Sequence, residues 1–341
     1  MTRPLITVII PSYNRAEWLP RLLDSALAQR FENWNCVIVE DLSRQRAAIR
    51  EIATGYVTAH PDRFAYYENA QNLGYDGNFR EMVARASGRY VFVMGNDDLI
   101  APDAFRAVAR AVDMAPEMGL LLRSYARFRG DPSNVVQISR YYAKPLVFAP
   151  GTEAIVRCYR RIVAMSGLVI HRDEALACAT TRWDGTLFYQ HWLAVNVLRT
   201  RPAVFLPEVL ALFRVDGTPE FGNAEAERRS YTPGVQPPDT DVRMIRNLLA
   251  IARDGAPECF DIIERDYANH MFPTFAHQAH VSRAEFRDFY HTLAALGLGK
   301  YRTFHMWYWA VRLVGARNLE AAFQLVRKTL GHTPNLTRAA R

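Results

Sequence analysis

Apolar and polar positions follow two periods along the first 115 residues. Leu5 to Ile10 (LITVII) is a continuous, largely β-branched run ended by Pro11, which predicts a buried strand. Leu19, Leu22, Leu23, Ala26 and Leu27 then recur at helical spacing between Glu17 and Ala28. The alternation repeats. Cys36 to Val39 (CVIV) predicts a second strand, residues 45–59 a helix, Phe64 to Tyr67 a short strand and Gly77 to Ala86 a helix. Tyr90 to Met94 (YVFVM) predicts a fourth strand running into Gly95-Asn96-Asp97-Asp98, and Pro102 is placed to open a helix reaching Ala115. Strand–helix alternation of this kind predicts βαβ units, a parallel sheet with helices on both faces, and a ligand beyond the carboxyl ends of the strands. Pro11 to Asn14, Glu40-Asp41 and Asp97-Asp98 all fall at that edge.

Beyond residue 120 the pattern loosens. Arg127 to Asn134 (RFRGDPSN) predicts a loop, 135–148 extended pieces, 152–163 a helix, Leu168 to Ile170 a strand and Trp192 to Leu198 a helix. Residues 215–239, rich in Gly, Pro and charge, predict a mobile loop. From Asp241 only helical patterns follow, the last capped by Asn318 and stopped by Gly331. The expected class is therefore α/β, with a doubly wound, mainly parallel sheet and a helical extension. The expected divisions are 1–115, 116–238 and 239–341.

Composition narrows the class without changing the picture. Half of the 341 residues are hydrophobic and 23% are charged, as in soluble globular chains. No apolar run approaches the roughly 18–20 residues of a membrane span, and MTRPLITVIIPSYN does not read as a signal peptide. Cys36, Cys158, Cys178 and Cys259 are scattered, which argues against a zinc or disulfide framework and for the cytoplasm.

The charge distribution does change the picture. The net charge is +7, and residues 300–341 hold eight bases against Glu320 alone, so the tail carries the whole excess. Phe304, Trp307, Tyr308, Val311 and Val314 lie there at helical spacing, with Trp309 beside them. Two uses stay open: a helix packing its aromatics on the core, or one lying on the anionic inner face of the cell membrane. Nucleic acid is not an expected partner.

Candidate chemistry sits at the strand ends. Asp97-Asp98 suits a hard divalent cation, Mg²⁺ or Mn²⁺, held by one or two carboxylates plus substrate phosphates; it would also suit a turn capping the next helix. Asp41 could accept from a base or ribose, or cap a helix. Tyr13 could cover a nucleobase, or be a half-buried loop aromatic. No G-x-G-x-x-G and no G-x-x-x-x-G-K-[ST] occurs, which disfavours dinucleotide oxidoreductases and P-loop NTPases.

Taken in series, LITVIIPSYNR, VIVEDLS, NLG and ASGRYVFVMGNDD resemble the ordered motifs of the family 2 glycosyltransferases of the GT-A fold. The GYDGNF segment resembles the subset that includes abequosyltransferase-like enzymes. The resemblance implies inverting transfer of a sugar from a nucleotide-diphosphate sugar to a glycan or lipid-linked acceptor in surface polysaccharide or lipopolysaccharide synthesis. It implies that Pro11 and Tyr13 line the nucleotide pocket, that Asp41 contacts the base, that Asp97 lies near ribose and diphosphate, and that Asp98 ligates the cation. Arg214 would touch the diphosphate, with the loop after it as a lid. Ser166 and Gly167 would wall the acceptor pocket.

The chain departs from the family pattern in three places. Glu40-Asp41-Leu42 replaces Asp-Asp-Gly. Phe79 stands where the family often has Arg, so Asn78 and Arg80 are the nearby candidates for the phosphates. Gln190-His191-Trp192 replaces Glu-Asp-Trp, where the family supplies its general base. His191, with an ordinary pKa near 6.5, and Asp184 are the two candidate bases. The rival readings are a sugar nucleotidyltransferase, which the Pro11–Asn14 loop matches poorly, and a non-catalytic sugar-nucleotide-binding or scaffold protein.

Overall fold

A computed structural model describes residues 3–217, 220–228, 230–334 and 336. They form two compact units, one of residues 1–140 and 144–234 and one of residues 141–143 and 235–341.

The first unit is built on the runs that are apolar on both faces. β1 (Ile6–Ser12), β2 (Trp34–Glu40), β3 (Phe64–Glu68) and β4 (Tyr90–Val93) pair in parallel in the order β3-β2-β1-β4. Ile6, Val8 and Ile10 of β1 join one core cluster with Leu19, Leu22, Leu23 and Ala26 of α1 (Leu19–Leu27). After α2 (Arg46–Ala59) and α3 (Gly74–Arg85) come the short β5 (Leu99–Ile100) and α4 (Ala104–Met114), which adds Phe105 and Val108 to the same cluster.

The remaining strands are β6 (Leu120–Arg129), β7 (Asp131–Ser139), β8 (Leu146–Phe148), β9 (Val169–His171) and β10 (Ala203–Arg214), with α5 (Thr152–Cys158), α6 (Arg172–Ala177) and α7 (Tyr189–Leu198) among them. The ten strands of the described residues run β3-β2-β1-β4-β9-β6-β10-β5, with β7 on β6 and β8 on β10. The sheet turns mixed beyond β4, because β9 is antiparallel to both β4 and β6 while β6 and β10 are parallel. One sheet thus runs through the segments expected as divisions 1–115 and 116–238.

Two readings of the pattern need correction. The expected loop at Arg127 to Asn134 is the turn of the β6–β7 hairpin: Gly130, at φ +66°, reverses the chain, and Pro132 sits on β7, where its missing N–H is tolerated. β10 has no counterpart among the expected elements, because Pro207 and Glu208 interrupt its apolar run. The register with β6 shifts around them, as at a bulge.

The second unit is helical: α8 (Pro238–Gly255), α9 (Phe260–Asn269), α10 (Phe272–His277), α11 (Arg283–Ala295), α12 (Arg302–Val314) and α13 (Ala316–Leu330). Its core is aromatic. Phe275 meets Phe286, Phe289, Phe304 and Tyr308 at ring-centroid distances of 5.3–6.1 Å. Phe304, Trp307, Tyr308 and Val311 are therefore core residues, and the reading that gave them to a membrane is corrected. α13 starts at Ala316 rather than after Asn318, whose amide donates back to the Val314 carbonyl (2.9 Å); Gly331, at φ +73°, ends it as expected. Arg338 and Arg341 lie outside the described residues.

Candidate active site

The polar cluster forms where β1, β4 and β10 of the first unit end. After β1 the chain turns through Asn14 and Arg15, both left-handed at φ +53° and +58°. Such non-glycine residues cost about 1–3 kcal/mol each and tend to persist at working sites. The turn aims Arg15 at the β4 loop, where its Nη1 donates to Asp97 Oδ2 at 2.5 Å. Arg214, at the end of β10, reaches the same oxygen through Nη2 at 3.3 Å. The Arg214 guanidinium lies 4.2 Å from the Trp18 ring centroid and also donates to the Asp216 carbonyl. Asp97 is the less buried carboxylate of the pair, its side chain 14% exposed, with two guanidinium groups on one oxygen.

The segment after β10 covers this cluster. Tyr13 Oη donates to the Asn223 carbonyl at 3.1 Å, Asn14 Nδ2 to Glu220 Oε2 at 3.3 Å, and Arg15 Nε lies 3.6 Å from Glu220 Oε1. Ala226 N–H donates to Asn72 Oδ1, and Glu227, itself buried, accepts from Tyr75 N–H and Gly222 N–H. Pro11, the penultimate residue of β1, is half-buried.

Asp98 stands elsewhere in the chemistry than expected. It is 7% exposed, and both carboxylate oxygens are engaged: Oδ1 accepts Arg214 N–H at 3.0 Å, and Oδ2 accepts the Ser166 hydroxyl at 2.6 Å. Ser166 Oγ in turn accepts Gly95 N–H at 2.8 Å. A Cβ at Gly95 would come within 3.2 Å of Asp98 Oδ2 and 3.3 Å of Ser166 Oγ, so a side chain there would press on this hydrogen bond. Burial pushes Asp98 up to about 7, and the neighbouring Asp97 acts in the same sense. The expectation that Asp98 is the exposed cation ligand is corrected: it ties the β4 loop to the end of β10. Ser166 is fully buried and Gly167, at φ +76°, is packed against Ala211 and Arg123. Neither presents a wall to an acceptor; Arg123 clamps this turn through the carbonyls of Ala164 and Ser166 (2.6–3.0 Å).

Asp41 is likewise spent inside the protein. It is 2% exposed and accepts from Asn69, Asn72, Leu73 N–H and Gly74 N–H at 2.8–3.0 Å, so it holds the start of α3 rather than offering a free oxygen to a base. Burial raises it to about 6, against those donors. Asn78 is interior too, accepting from Asn69 (3.1 Å) and donating to the Val39 carbonyl (3.3 Å). Arg80 is turned away from the cluster: it binds Asp184 at 2.5 and 3.0 Å and the Thr180 carbonyl at 3.2 Å.

His191 lies wholly inside, edge-on to Tyr159 and Phe188 at centroid distances of 4.9 and 5.4 Å. Burial pushes its pKa down to about 3. It is a core histidine, which corrects its placing as a base that meets an acceptor. Gln190 accepts from Tyr75 Oη at 3.0 Å. The segment is held by Asp76, which takes Leu187 N–H at 2.8 Å and Tyr189 N–H at 2.9 Å and whose pKa burial raises to about 7. Asp184 keeps about a third of its side chain exposed.

The expected residues thus separate. Tyr13, Asp97 and Arg214 share one network, which Asp98 and Ser166 join through the Arg214 backbone; Asp41 with Asn78 and Arg80 with Asp184 form two others. Sequence reasoning missed Arg15, Trp18, Asp76, Arg123, Glu220 and Glu227. Arg123 was detectable as the one charge in the apolar run LLLRSYA; the others became visible only with the contacts.

A hard cation can use one or two carboxylates plus substrate phosphates. By that measure the donor set fits one only through Asp97, whose second carboxylate oxygen is not used by the two guanidiniums, and among the described residues no cluster of three or more metal-ligating side chains occurs.

The fold defines the class. It is the GT-A fold, shared with S. aureus TarS residues 1–349, solved with UDP-GlcNAc (TM-score 0.61, 14% identity, 95% of this chain and 92% of that one). It is shared also with the mannosyltransferase PcManGT of Pyrobaculum calidifontis, solved with GDP-Man and Mn²⁺ (TM-score 0.51, 16% identity, 97% and 88%). Residues 7–160 match the model of glycosyl transferase family 2, the family whose ordered motifs the sequence resembles. The abequosyltransferase RfbV of Salmonella typhimurium is 30% identical over 116 residues, 34% of this chain and 35% of RfbV. The chain spans between 13% and 37% of the length of the curated relatives it matches.

Proposed function

We propose that the protein transfers a sugar, with inversion, from a nucleotide-diphosphate sugar to a hydroxyl of a glycan or lipid-linked acceptor in the building of a bacterial surface polysaccharide or lipopolysaccharide, at the cytoplasmic face of the membrane. One observation carries the reading: Arg15 and Arg214 converge on Asp97 at the carboxyl edge of the sheet. A diphosphate leaving group gains negative charge as the glycosidic bond breaks, and two guanidinium groups beside it offset that charge. Asp97 orients both guanidiniums before the donor arrives. Asp98 acts through them, because it fixes the Arg214 backbone and the Ser166 turn. Tyr13 lies beside this cluster and would lie against the nucleoside.

Mn²⁺ or Mg²⁺, held by Asp97 and the diphosphate, would supply further charge neutralisation to the leaving group. Of the two candidate bases, Asp184 is the one with part of its carboxylate exposed, and the proton is assigned to it, which requires its pair with Arg80 to open toward the acceptor. The covering segment at residues 220–228 must withdraw from Tyr13 and Asn14 for the donor to enter, as a lid does.

The test is nucleotide release from UDP- and GDP-sugars with Mn²⁺ and a membrane lipid extract as acceptor source. Wild-type protein is expected to release nucleotide in step with labelling of the lipid, and Asp97→Asn to lose at least about 100-fold in turnover, the scale of removing a group that stabilises transition-state charge. Binding without release would favour the scaffold reading; the replacement of the family's acids by Gln190 and His191 is what keeps that second reading in play.

A further inference from the structure

The inward face of α12 belongs to the aromatic core, and its other face is left bare. Met306, Trp309 and Leu313 recur at i, i+3 and i+7, with Trp309 54% and Leu313 79% exposed. In α13, Phe323 stacks on Phe272, whereas Leu325, Val326 and Leu330 are exposed, Leu325 at 66%. Large apolar side chains in such number on consecutive helices mark a surface that meets something.

The charge beside them says what. Arg302, Arg312, Arg317 and Lys328 are all exposed, and among the described residues none of the four makes an ion pair. At 100° per residue, Arg302 falls within the arc of the Met306–Trp309–Leu313 stripe and Arg312 borders it about 60° beyond Trp309, while Arg317 and Lys328 lie together about 60–80° to one side of Leu325. The one acid of the two helices, Glu320, lies against Arg327 at 3.4 Å. Neither helix is long and apolar enough to cross a bilayer. An apolar face carrying Trp and Leu, edged with unpaired bases, matches a helix lying in the headgroup region of an anionic leaflet.

We propose that the exposed faces of α12 and α13 dock the protein on an anionic lipid surface, with Trp309 and Leu313 entering the interface and Arg302, Arg312, Arg317 and Lys328 meeting the headgroups. The lipid-facing residues are thus the complement of the aromatic set that packs inward. The proposal does not depend on sugar transfer.

Co-sedimentation of the full chain with vesicles tests it. Binding is expected to vesicles of equal phosphatidylglycerol and phosphatidylcholine and not to phosphatidylcholine alone. It should fall at least about tenfold between 0.05 and 0.5 M salt, because the attraction is screened. Trp309→Ser with Leu313→Ser should lose at least about tenfold at low salt while melting like wild type, both side chains being exposed. Arg312→Gln with Lys328→Gln should flatten the salt dependence. Three results would overturn the proposal: wild-type protein ignoring anionic vesicles; the Trp309/Leu313 variant sedimenting as wild type does; or size measurements in which that variant turns a dimer into a monomer, which would give the face to a second copy.

Discussion

Two adjacent aspartates at the end of β4 do different work because their surroundings differ. Asp97 is the less buried of the two and is shared by two guanidiniums, while Asp98 is enclosed by Ser166 and the Arg214 backbone. Removing Arg15 (Arg15→Gln) should therefore weaken nucleoside diphosphate binding about tenfold, roughly 1.4 kcal/mol, in calorimetry without added cation. Asp98 is an acid whose pKa rises from its ordinary 3.8 to about 7 on folding. Its contribution to stability is present in acid and is lost as pH climbs through that interval. The melting temperature of Asp98→Asn, which does not titrate, should thus gain on wild type from about pH 4 to about pH 7 and run parallel above. His191 works in the opposite sense: its pKa is depressed on folding, so its contribution is present above about 6.5 and drains away toward pH 3. His191→Phe should keep turnover within about threefold and resist acid unfolding to lower pH, whereas Asp184→Asn should lose turnover. Full loss with His191→Phe in a folded protein would return the base to that position. These roles were not legible in the sequence. NDD and QHW show which groups are present, but burial decides whether a carboxylate or imidazole faces solvent or its own neighbours.

Elements were legible where one period dominated. β1, β2, β4 and α1 follow from uninterrupted apolar runs or strict helical spacing, since burial on two faces or one stripe leaves few alternatives. β10 was not, because a bulge with Pro207 breaks its pattern while its neighbours β6, β8 and β5 still pair with it. The covering segment was legible as loop from its Gly, Pro and charge, but not as a segment fastened by Tyr13 Oη to Asn223 and by Asn14 to Glu220. Tyr13→Phe removes the first of these bonds. It should speed limited proteolysis within residues 215–234 several-fold, and saturating nucleoside diphosphate should change that rate if the segment is the lid. An unchanged rate in both cases would mean the segment is a fixed part of the site.

At the scale of the molecule, charge was the most readable feature and its use the least. The basic end stood out in the sequence with two uses for its aromatics left open; Phe304, Trp307 and Tyr308 line the core of the second unit, while Trp309 is exposed. The exposed face combines Trp309 with Met306 and Leu313, which the sequence reading did not single out, because a helix that packs on one side shows its other side at intermediate positions. The parallel sheet and the edge where its polar loops gather followed from strand–helix alternation alone, since a parallel sheet concentrates its loops at one end, whereas the GT-A expectation rested on the resemblance of the motifs.

The central claim is that the Asp97 cluster receives a nucleotide diphosphate. Calorimetric titration of wild-type and Asp97→Asn protein with UDP- and GDP-sugars, with and without Mn²⁺, measures this directly. Saturable one-site binding of one such donor by wild-type protein, weakened at least about tenfold in the variant, is the expected result. Absence of binding to every donor, or equal binding by both proteins, would contradict the account.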